Sequence, residues 1–249
     1  MSETALHHRL RALGFLSADD FEALDELLKH REEAVPGDLI VMEDQHMSRT
    51  WVLLEGWAFR YKSFADGRRQ VLNYMLPGDI IGLYSVILRR SDYGVEAITP
   101  MSVAVFPCRE LIDALAHTPH LLLALSWIAG QGERMLDEQI ARVGRRSATE
   151  RMAHLFVELH VRLRKLGLDK ENARTLPLTQ ALLSDTLGMS HVHANRCFGA
   201  LGKEGLVELR DGRLVLLDTA GLAKRAGFDA SYLEETRVPS DIRRALQVT

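Results

Sequence analysis

The chain has few cysteines and no long apolar segment. Its two cysteines, Cys108 and Cys197, are too few for an iron–sulfur cluster, which takes about four cysteine ligands. No stretch approaches the roughly 18 consecutive apolar residues of a membrane helix. Residues 1–20 lack the apolar segment and cleavage site of a signal peptide. We therefore expect a protein of the cytoplasm, with neither a membrane partner nor an iron–sulfur cofactor.

Basic residues are not in excess over the whole chain. It carries 31 Lys and Arg against 34 Asp and Glu, a net charge of −3. The two parts differ, since residues 1–145 hold 15 basic against 21 acidic residues, whereas residues 146–249 hold 16 against 13. If the protein binds phosphate groups, the C-terminal part is the better candidate.

Short runs of β-forming residues recur between residues 39 and 106, and the turn-forming sequences Pro36-Gly37-Asp38, Asp66-Gly67 and Pro77-Gly78-Asp79 separate them. This pattern predicts an antiparallel β-roll or jelly roll. Before it, residues 17–30 have helical periodicity, with Ser17 and Asp20 placed to begin the helix.

A long helix is predicted after the roll, from about residue 119 to residue 144. Apolar side chains recur along it at steps of three and four, which favours pairing with the same helix of a second chain. The alternative is a helix packed on its own domain. The predicted dimerisation residues are Leu121, Leu125, Ile128, Met135, Leu136, Ile140 and Val143.

A second helix should begin at Ser147, because Ser147 and Glu150 have the spacing of a capping box. This places a boundary near residues 144–147, where the composition changes from β-forming to helical. We expect an α+β protein with three parts: a β-roll sensor domain (1–118), a dimerisation helix and hinge (119–146) and a DNA-binding domain (147–249).

The segment LPLTQALLSDTLGMSHVHANRCFGAL predicts a helix-turn-helix. Thr179 is placed to cap a first short helix, Gly188 to end it and Ser190 to cap the second helix. Two alternating strands follow around Asp211-Gly212, a strong hairpin signal. Together these elements predict a winged helix-turn-helix.

The second helix of such a motif lies in the DNA major groove, with its first turn against the base edges. Arg196 has the hydrogen-bond donors to bind guanine O6 and N7, and Asn195 can contact adenine or a phosphate. The hydroxyls and free backbone N–H groups at the two helix starts suit phosphate oxygens. The predicted DNA-binding residues are Thr179, Ser190, His191, Val192, His193, Asn195 and Arg196.

The residue types of this segment also occur in two other kinds of site, a zinc site and a redox-active thiol. A zinc site would use His191, His193 and Cys197, but side chains two residues apart on a helix point about 200° away from each other. A redox function would use Cys197, which falls in the inward-facing set with Ala194, Phe198 and Leu201. A small buried residue is the usual role of such a cysteine, although oxidation of a thiol beneath the recognition helix would disturb that helix.

With these motifs in this order, the chain resembles the Crp/Fnr family of bacterial transcription regulators. The resemblance covers the β-roll with its Pro-Gly-Asp turns, the long helix and the winged helix-turn-helix. Within the family it is similar to the branch with S-x-V-H-x-N-R in the recognition helix and a GFD…YL tail, here residues 190–196 and 227–233. It implies a homodimer on two-fold related DNA sites that recruits or blocks RNA polymerase, and it implies that Arg196 contacts a base.

The chain departs from this family at several positions. Val192 stands where many members have a glutamate, and it cannot accept a hydrogen bond from cytosine N4. In the roll, Gly82-Leu83 and Ser91-Asp92 replace the glycine–glutamate and arginine–serine pairs that hold cyclic AMP; Arg90-Ser91 would fit only with an inserted residue. We therefore expect no cyclic AMP. The N-terminal cysteine cluster of oxygen-sensing members is absent, and His7 and His8 are expected in a solvated N-terminus rather than on haem.

Two further classes of protein compete with a DNA-binding regulator. A ligand-sensing module that controls a protein partner would need neither the turn at Gly188 nor the hairpin at Asp211-Gly212. A metal-dependent jelly-roll oxygenase would need clustered histidines, but His46 is the single histidine between residues 35 and 110. The sequence therefore favours DNA binding and no enzymatic activity.

Overall fold

The computed structural model describes residues 3–168, 172–234, 239 and 241. Residues 3–234 form two compact units, one of residues 3–60 and 74–132, the other of residues 61–73 and 133–234. The predicted α+β class is confirmed. Nine helices and eleven strands occur within the described ranges. They are α1 (Ala5–Arg11), α2 (Ala18–Leu27), β1 (Arg31–Ala34), β2 (Leu39–Val41), β3 (Arg49–Glu55), β4 (Ala58–Ser63), β5 (Arg69–Met75), β6 (Ile80–Ile81), α3 (Ser85–Leu88), β7 (Gly94–Ala97), β8 (Met101–Pro107), α4 (Cys108–His117), α5 (Pro119–Arg145), α6 (Ala148–Lys165), β9 (Thr175–Leu176), α7 (Gln180–Leu187), α8 (His191–Lys203), β10 (Val207–Arg210), β11 (Arg213–Leu216) and α9 (Thr219–Ala226).

The strands of the roll form two antiparallel sheets. Their orders are β1-β8-β3-β6 and β2-β7-β4-β5. The roll core contains Trp51, Leu53, Met75, Ile81 and Met101. The predicted antiparallel roll is therefore confirmed, and large apolar side chains fill its interior.

A second apolar cluster in this unit joins α1, α2 and α4 to the start of α5. It corrects the expectation of a solvated N-terminus at His7. That side chain is 4% exposed, stacks on Phe21 with ring centroids 5.9 Å apart, and closes a capping box with Thr4. Burial, the largest effect, lowers the pKa of His7. His8 faces outward, as expected.

Several predicted helix boundaries are confirmed. Ser17 and Asp20 form the capping box of α2, and Ser147 and Glu150 form that of α6. The helices break between Arg145 and Ala148. The compact units, however, divide within α5 rather than at this break, because the half of α5 that begins at Glu133 belongs with α6.

Candidate nucleic-acid interface

The helix-turn-helix forms from α7 and α8 as the capping pattern predicts. Thr179 Oγ1 accepts the backbone N–H of Leu182 at 3.2 Å, and Ser190 Oγ accepts that of His193 at 3.3 Å. Between the helices, Gly188 has a left-handed backbone, φ 62°, a conformation that glycine adopts without steric cost. The sequence signals for this turn are therefore confirmed.

Helix α8 is divided into a buried face and an exposed face. Ala194, Cys197 and Leu201 are its buried residues, and the helix packs against α6, α7 and β10. All the predicted base-contacting side chains lie on the exposed side, with Val192 70% exposed; they are His191, Val192, His193, Asn195 and Arg196. The exposed surface of α8 is thus polar and cationic apart from Val192.

Cys197 is 4% exposed, whereas His191 and His193 are both exposed and point about 200° away from each other around α8. A shared metal ion would need all three side chains on one side, which α8 does not provide. Among the described residues, no group of three or more His, Cys, Asp or Glu is arranged to hold a metal ion. Cys108 is also a buried free thiol, 3.7 Å from Thr50 Oγ1.

The wing consists of β10 and β11, joined by a turn at Asp211-Gly212. Both turn residues have positive φ, 51° and 74°, as a two-residue hairpin turn of this type requires. Arg210 pairs with Arg213 across the turn, and both side chains are exposed. The wing cations were not among the predicted DNA-binding residues, although a cation on each side of an Asp-Gly turn was a signal for them.

The C-terminal end of α7 is held by side chains from other elements of its unit. The carbonyl oxygen of Thr186 accepts hydrogen bonds from Gln70 Nε2 at 3.0 Å and from Gln139 Nε2 at 2.9 Å. Arg151 donates to the next carbonyl, that of Leu187, at 3.2 Å. These carbonyls have no partner within their own helix, so the three side chains fix the end of α7 immediately before the turn into α8.

Part of the predicted dimerisation surface is buried within one chain. Leu121, Leu125 and Ile128 are 0–7% exposed and belong to the apolar cluster with α1, α2 and α4. The prediction that these three contact a second chain is therefore wrong. Ile140 is 71% exposed, whereas Met135, Leu136 and Val143 are half-buried.

The roll residues that replace the cyclic AMP contacts have partners of their own. Leu83 packs against the helical apolar cluster. Arg90 donates to Asp44 Oδ1 at 2.9 Å. Ser91 is 1% exposed, and its hydroxyl donates to the carbonyl of Tyr93 at 2.7 Å. Residue 83 is therefore not a carboxylate, and Arg90 and Ser91 make hydrogen bonds within the roll.

Two family descriptions match the chain in the order of its two folded parts. Residues 31–118 match the family described as cyclic nucleotide-binding domain, and residues 150–225 match the Crp-like helix-turn-helix domain. Among the described residues, no helix is long and apolar enough to cross a membrane.

Named regulators are similar over most of their length. The transcriptional activatory protein AadR of Rhodopseudomonas palustris is 29% identical over 84% of this chain and 86% of that protein. The nitrogen fixation regulation protein FixK of Bradyrhizobium diazoefficiens is 27% identical over 78% and 81%.

The solved structure of FixK2 from Bradyrhizobium japonicum has the same fold, with a TM-score of 0.70 at 24% identity, covering 81% of this chain and 98% of that chain. A CRP/FNR family regulator from Thermus thermophilus gives a TM-score of 0.61 at 23% identity, over 80% and 99%. The roll, the long helix, the helix-turn-helix and these relatives agree, and the chain belongs to the Crp/Fnr family of transcription regulators.

Proposed function

We propose that this regulator binds a two-fold related DNA site as a homodimer, with α8 of each chain in the major groove. The observation that carries the proposal is the division of α8 into a buried face and an exposed face. Arg196 and Asn195 lie on the exposed face, where their side chains are available for base edges. Ser190 caps the start of α8 itself, and Thr179 caps the start of α7; helix starts suit phosphate oxygens.

Charge supports the same assignment. Residues 146–249 have a small excess of basic residues, whereas residues 1–145 are acidic. Arg210 and Arg213 carry cationic side chains at the wing, where phosphate contacts would position the protein without reading sequence. RNA polymerase is the protein partner we expect, because the named relatives include activators.

We also propose that the signal sensed by the roll is not cyclic AMP. The apolar filling of the roll and the pairing of Arg90 and Ser91 support this proposal. Neither haem nor an iron–sulfur cluster is part of the proposed mechanism. Titration of the purified protein with cyclic AMP should give no binding heat and no change in DNA affinity; saturable binding would contradict the proposal.

The test is a selection of bound sequences from random duplex DNA by the purified full chain. We expect two inverted half-sites, with centres about one helical turn (~34 Å) apart. The absence of selected sequence, together with no footprint on DNA from the source genome at moderate salt, would contradict the function. Repeating the selection with hydrogen peroxide, for the natural chain and for Cys197→Ala, would show whether the buried thiol affects DNA binding.

A further inference from the structure

In the helix-turn-helix, a buried serine of α7 contacts a histidine on the exposed surface of α8. Ser184 lies on α7 and is 3% exposed. Its hydroxyl donates to the carbonyl of Gln180, one turn earlier, at 2.9 Å. The same oxygen lies 3.3 Å from Nδ1 of His191, the first residue of α8.

These two contacts determine the position of the proton on the His191 ring. A serine hydroxyl has one proton to donate and lone pairs to accept with. Because that proton is directed at the Gln180 carbonyl, Ser184 can only accept from the imidazole. Nδ1 must then carry the hydrogen, and in the neutral ring Nε2 is left without one.

The bare Nε2 faces outward, because His191 is exposed and its Nδ1 is directed at Ser184. In the major groove, an acceptor at this place matches the exocyclic amino groups of cytosine (N4) and adenine (N6), and it does not match guanine O6 or thymine O4. His191 therefore supplies an acceptor next to Val192, whose side chain has none.

We propose that Ser184 is a positioning residue that holds His191 in its Nδ1–H tautomer, and that His191 thereby reads an amino-bearing base, cytosine or adenine, in each half-site. The inference rests on the proposed function, in which α8 enters the major groove. Beyond that function, it specifies the tautomer of His191, which can be measured without DNA. It also specifies the class of base that His191 contacts, which can be measured with DNA.

The tautomer is tested on the free protein by long-range ¹⁵N–¹H correlation spectra of the histidine-labelled full chain, recorded at alkaline pH. We expect His191 to show a protonated Nδ1 and an unprotonated Nε2. Ser184→Ala should move the ring towards the Nε2–H form, and Ser184→Thr, which keeps a hydroxyl, should restore it. An Nε2–H form in the natural chain, or no change in Ser184→Ala, would overturn the proposal.

Thr186→Val is the matched control. Thr186 is another buried hydroxyl of α7 and also donates one turn back, to the carbonyl of Leu182 at 2.6 Å. Its removal perturbs the same helix and leaves the Ser184 hydroxyl, which contacts His191, in place. The His191 spectrum should therefore stay as in the natural chain; if Thr186→Val shifts the tautomer as far as Ser184→Ala does, the effect is a general loosening of α7 and the specific role of Ser184 is refuted.

The base class is tested by sequence selection with the natural chain, His191→Ala and His191→Arg. One position in each half-site should favour cytosine or adenine by about five- to tenfold, the effect of one neutral hydrogen bond. His191→Ala should lose that preference alone, and His191→Arg should favour guanine there. Guanine or thymine in the natural chain's site would overturn the base assignment, as would an equal loss on all sequences in His191→Ala. A chain that selects no DNA would instead refute the proposed function itself, and base reading with it.

Discussion

Arg142 Nε donates a hydrogen bond to His154 Nδ1 at 3.1 Å, in the interior of the second unit, where Arg142 is 2% exposed. The other guanidinium nitrogens donate to Gln139 Oε1 at 2.6 Å and to the Glu158 carboxylate. Glu158 also accepts the hydroxyl of Tyr232 at 2.7 Å. This buried network joins α5, α6 and the segment after α9 into one hydrogen-bonded group.

Breaking the ion pair of this network should be costly. Arg142→Met fills a similar volume but leaves the buried Glu158 carboxylate without its cation, so we expect a loss of about 3–5 kcal/mol in unfolding free energy, measured with urea. Tyr232→Phe removes one hydrogen bond to a charged group and should cost about 1.5–3 kcal/mol.

The double variant Arg142→Met, Glu158→Met distinguishes the loss of the ion pair from the loss of side-chain packing. Because no buried charge remains, it should recover at least half of the loss seen in Arg142→Met alone. If the double variant instead loses a further amount of unfolding free energy as large as the loss in Arg142→Met, the two residues contribute independently. The ion pair is then not the reason for the loss.

Acid should destabilise the second unit through His154. Burial, the largest effect, and the nearby Arg142 and Arg146 cations lower the pKa of His154 from 6.5 to about 3. Between these values the unfolded chain binds a proton that the folded chain does not. The free energy of unfolding is therefore not reduced by His154 above pH 6.5. It falls by up to about 1.4 kcal/mol per pH unit as the pH drops from 6.5 towards 3.

Unfolding measured from pH 7 to pH 3.5 checks this expectation with His154→Gln, which keeps an acceptor for Arg142. The slope of its unfolding free energy against pH should be smaller than that of the natural chain by about one proton. His193→Gln, at an exposed histidine of the same unit, is the control for the histidine-to-glutamine change itself. Equal slopes for His154→Gln and the natural chain would show that His154 is protonated in the folded state.

Gln70 and Gln139 both donate to the Thr186 carbonyl, so each should partly compensate for the loss of the other. Gln70→Ala leaves that carbonyl paired with Gln139 and should cost about 0.5 kcal/mol. Gln139→Ala should cost more, because Arg142 loses an acceptor as well. With both removed, the carbonyl loses both glutamine donors, and the loss should exceed the sum of the single losses by about 1 kcal/mol in a double-mutant cycle. If the two losses in unfolding free energy simply add, the shared carbonyl does not couple Gln70 to Gln139.

Local signals predicted the parts of the fold that short sequences determine. Gly188 ends α7 because the turn requires a left-handed residue, and Asp211-Gly212 turns the wing for the same reason. Ser147 and Glu150 mark the start of α6 through bonds within four residues. These interactions are complete within the segment, so the segment alone specifies them.

The errors concern features that depend on distant residues. An apolar repeat on α5 predicts burial but not the partner, and Leu121 and Ile128 are buried by α1, α2 and α4 of the same chain. His7 is buried through its contact with Phe21. The sequence carries no prediction for Arg142, whose burial depends on Glu158 and His154 converging on it from α6. No local pattern distinguishes such residues from solvated ones.

Arg196 is expected to read one base pair, and the wing arginine Arg213 provides the contrast. Arg196→Ala should weaken binding to the selected site by about 1–3 kcal/mol and relax one position of each half-site. Arg213→Ala should weaken binding to all sequences alike and reduce the salt dependence by about one phosphate contact. Binding titrations on the selected site and its single-base variants distinguish these outcomes. If Arg196→Ala loses affinity equally on every sequence, Arg196 contacts a phosphate.

Ile140 offers the clearest test of the homodimer. It is 71% exposed on α5, and a second copy of α5 would cover it in a paired-helix dimer. Ile140→Glu should therefore give a monomer in sedimentation velocity and weaken binding to a two-fold site, while the far-ultraviolet circular dichroism stays unchanged. Ile112→Glu, at a 40% exposed isoleucine of α4, controls for charge on an exposed helix and should remain a dimer. A dimeric Ile140→Glu chain would place the contact between subunits elsewhere on the protein.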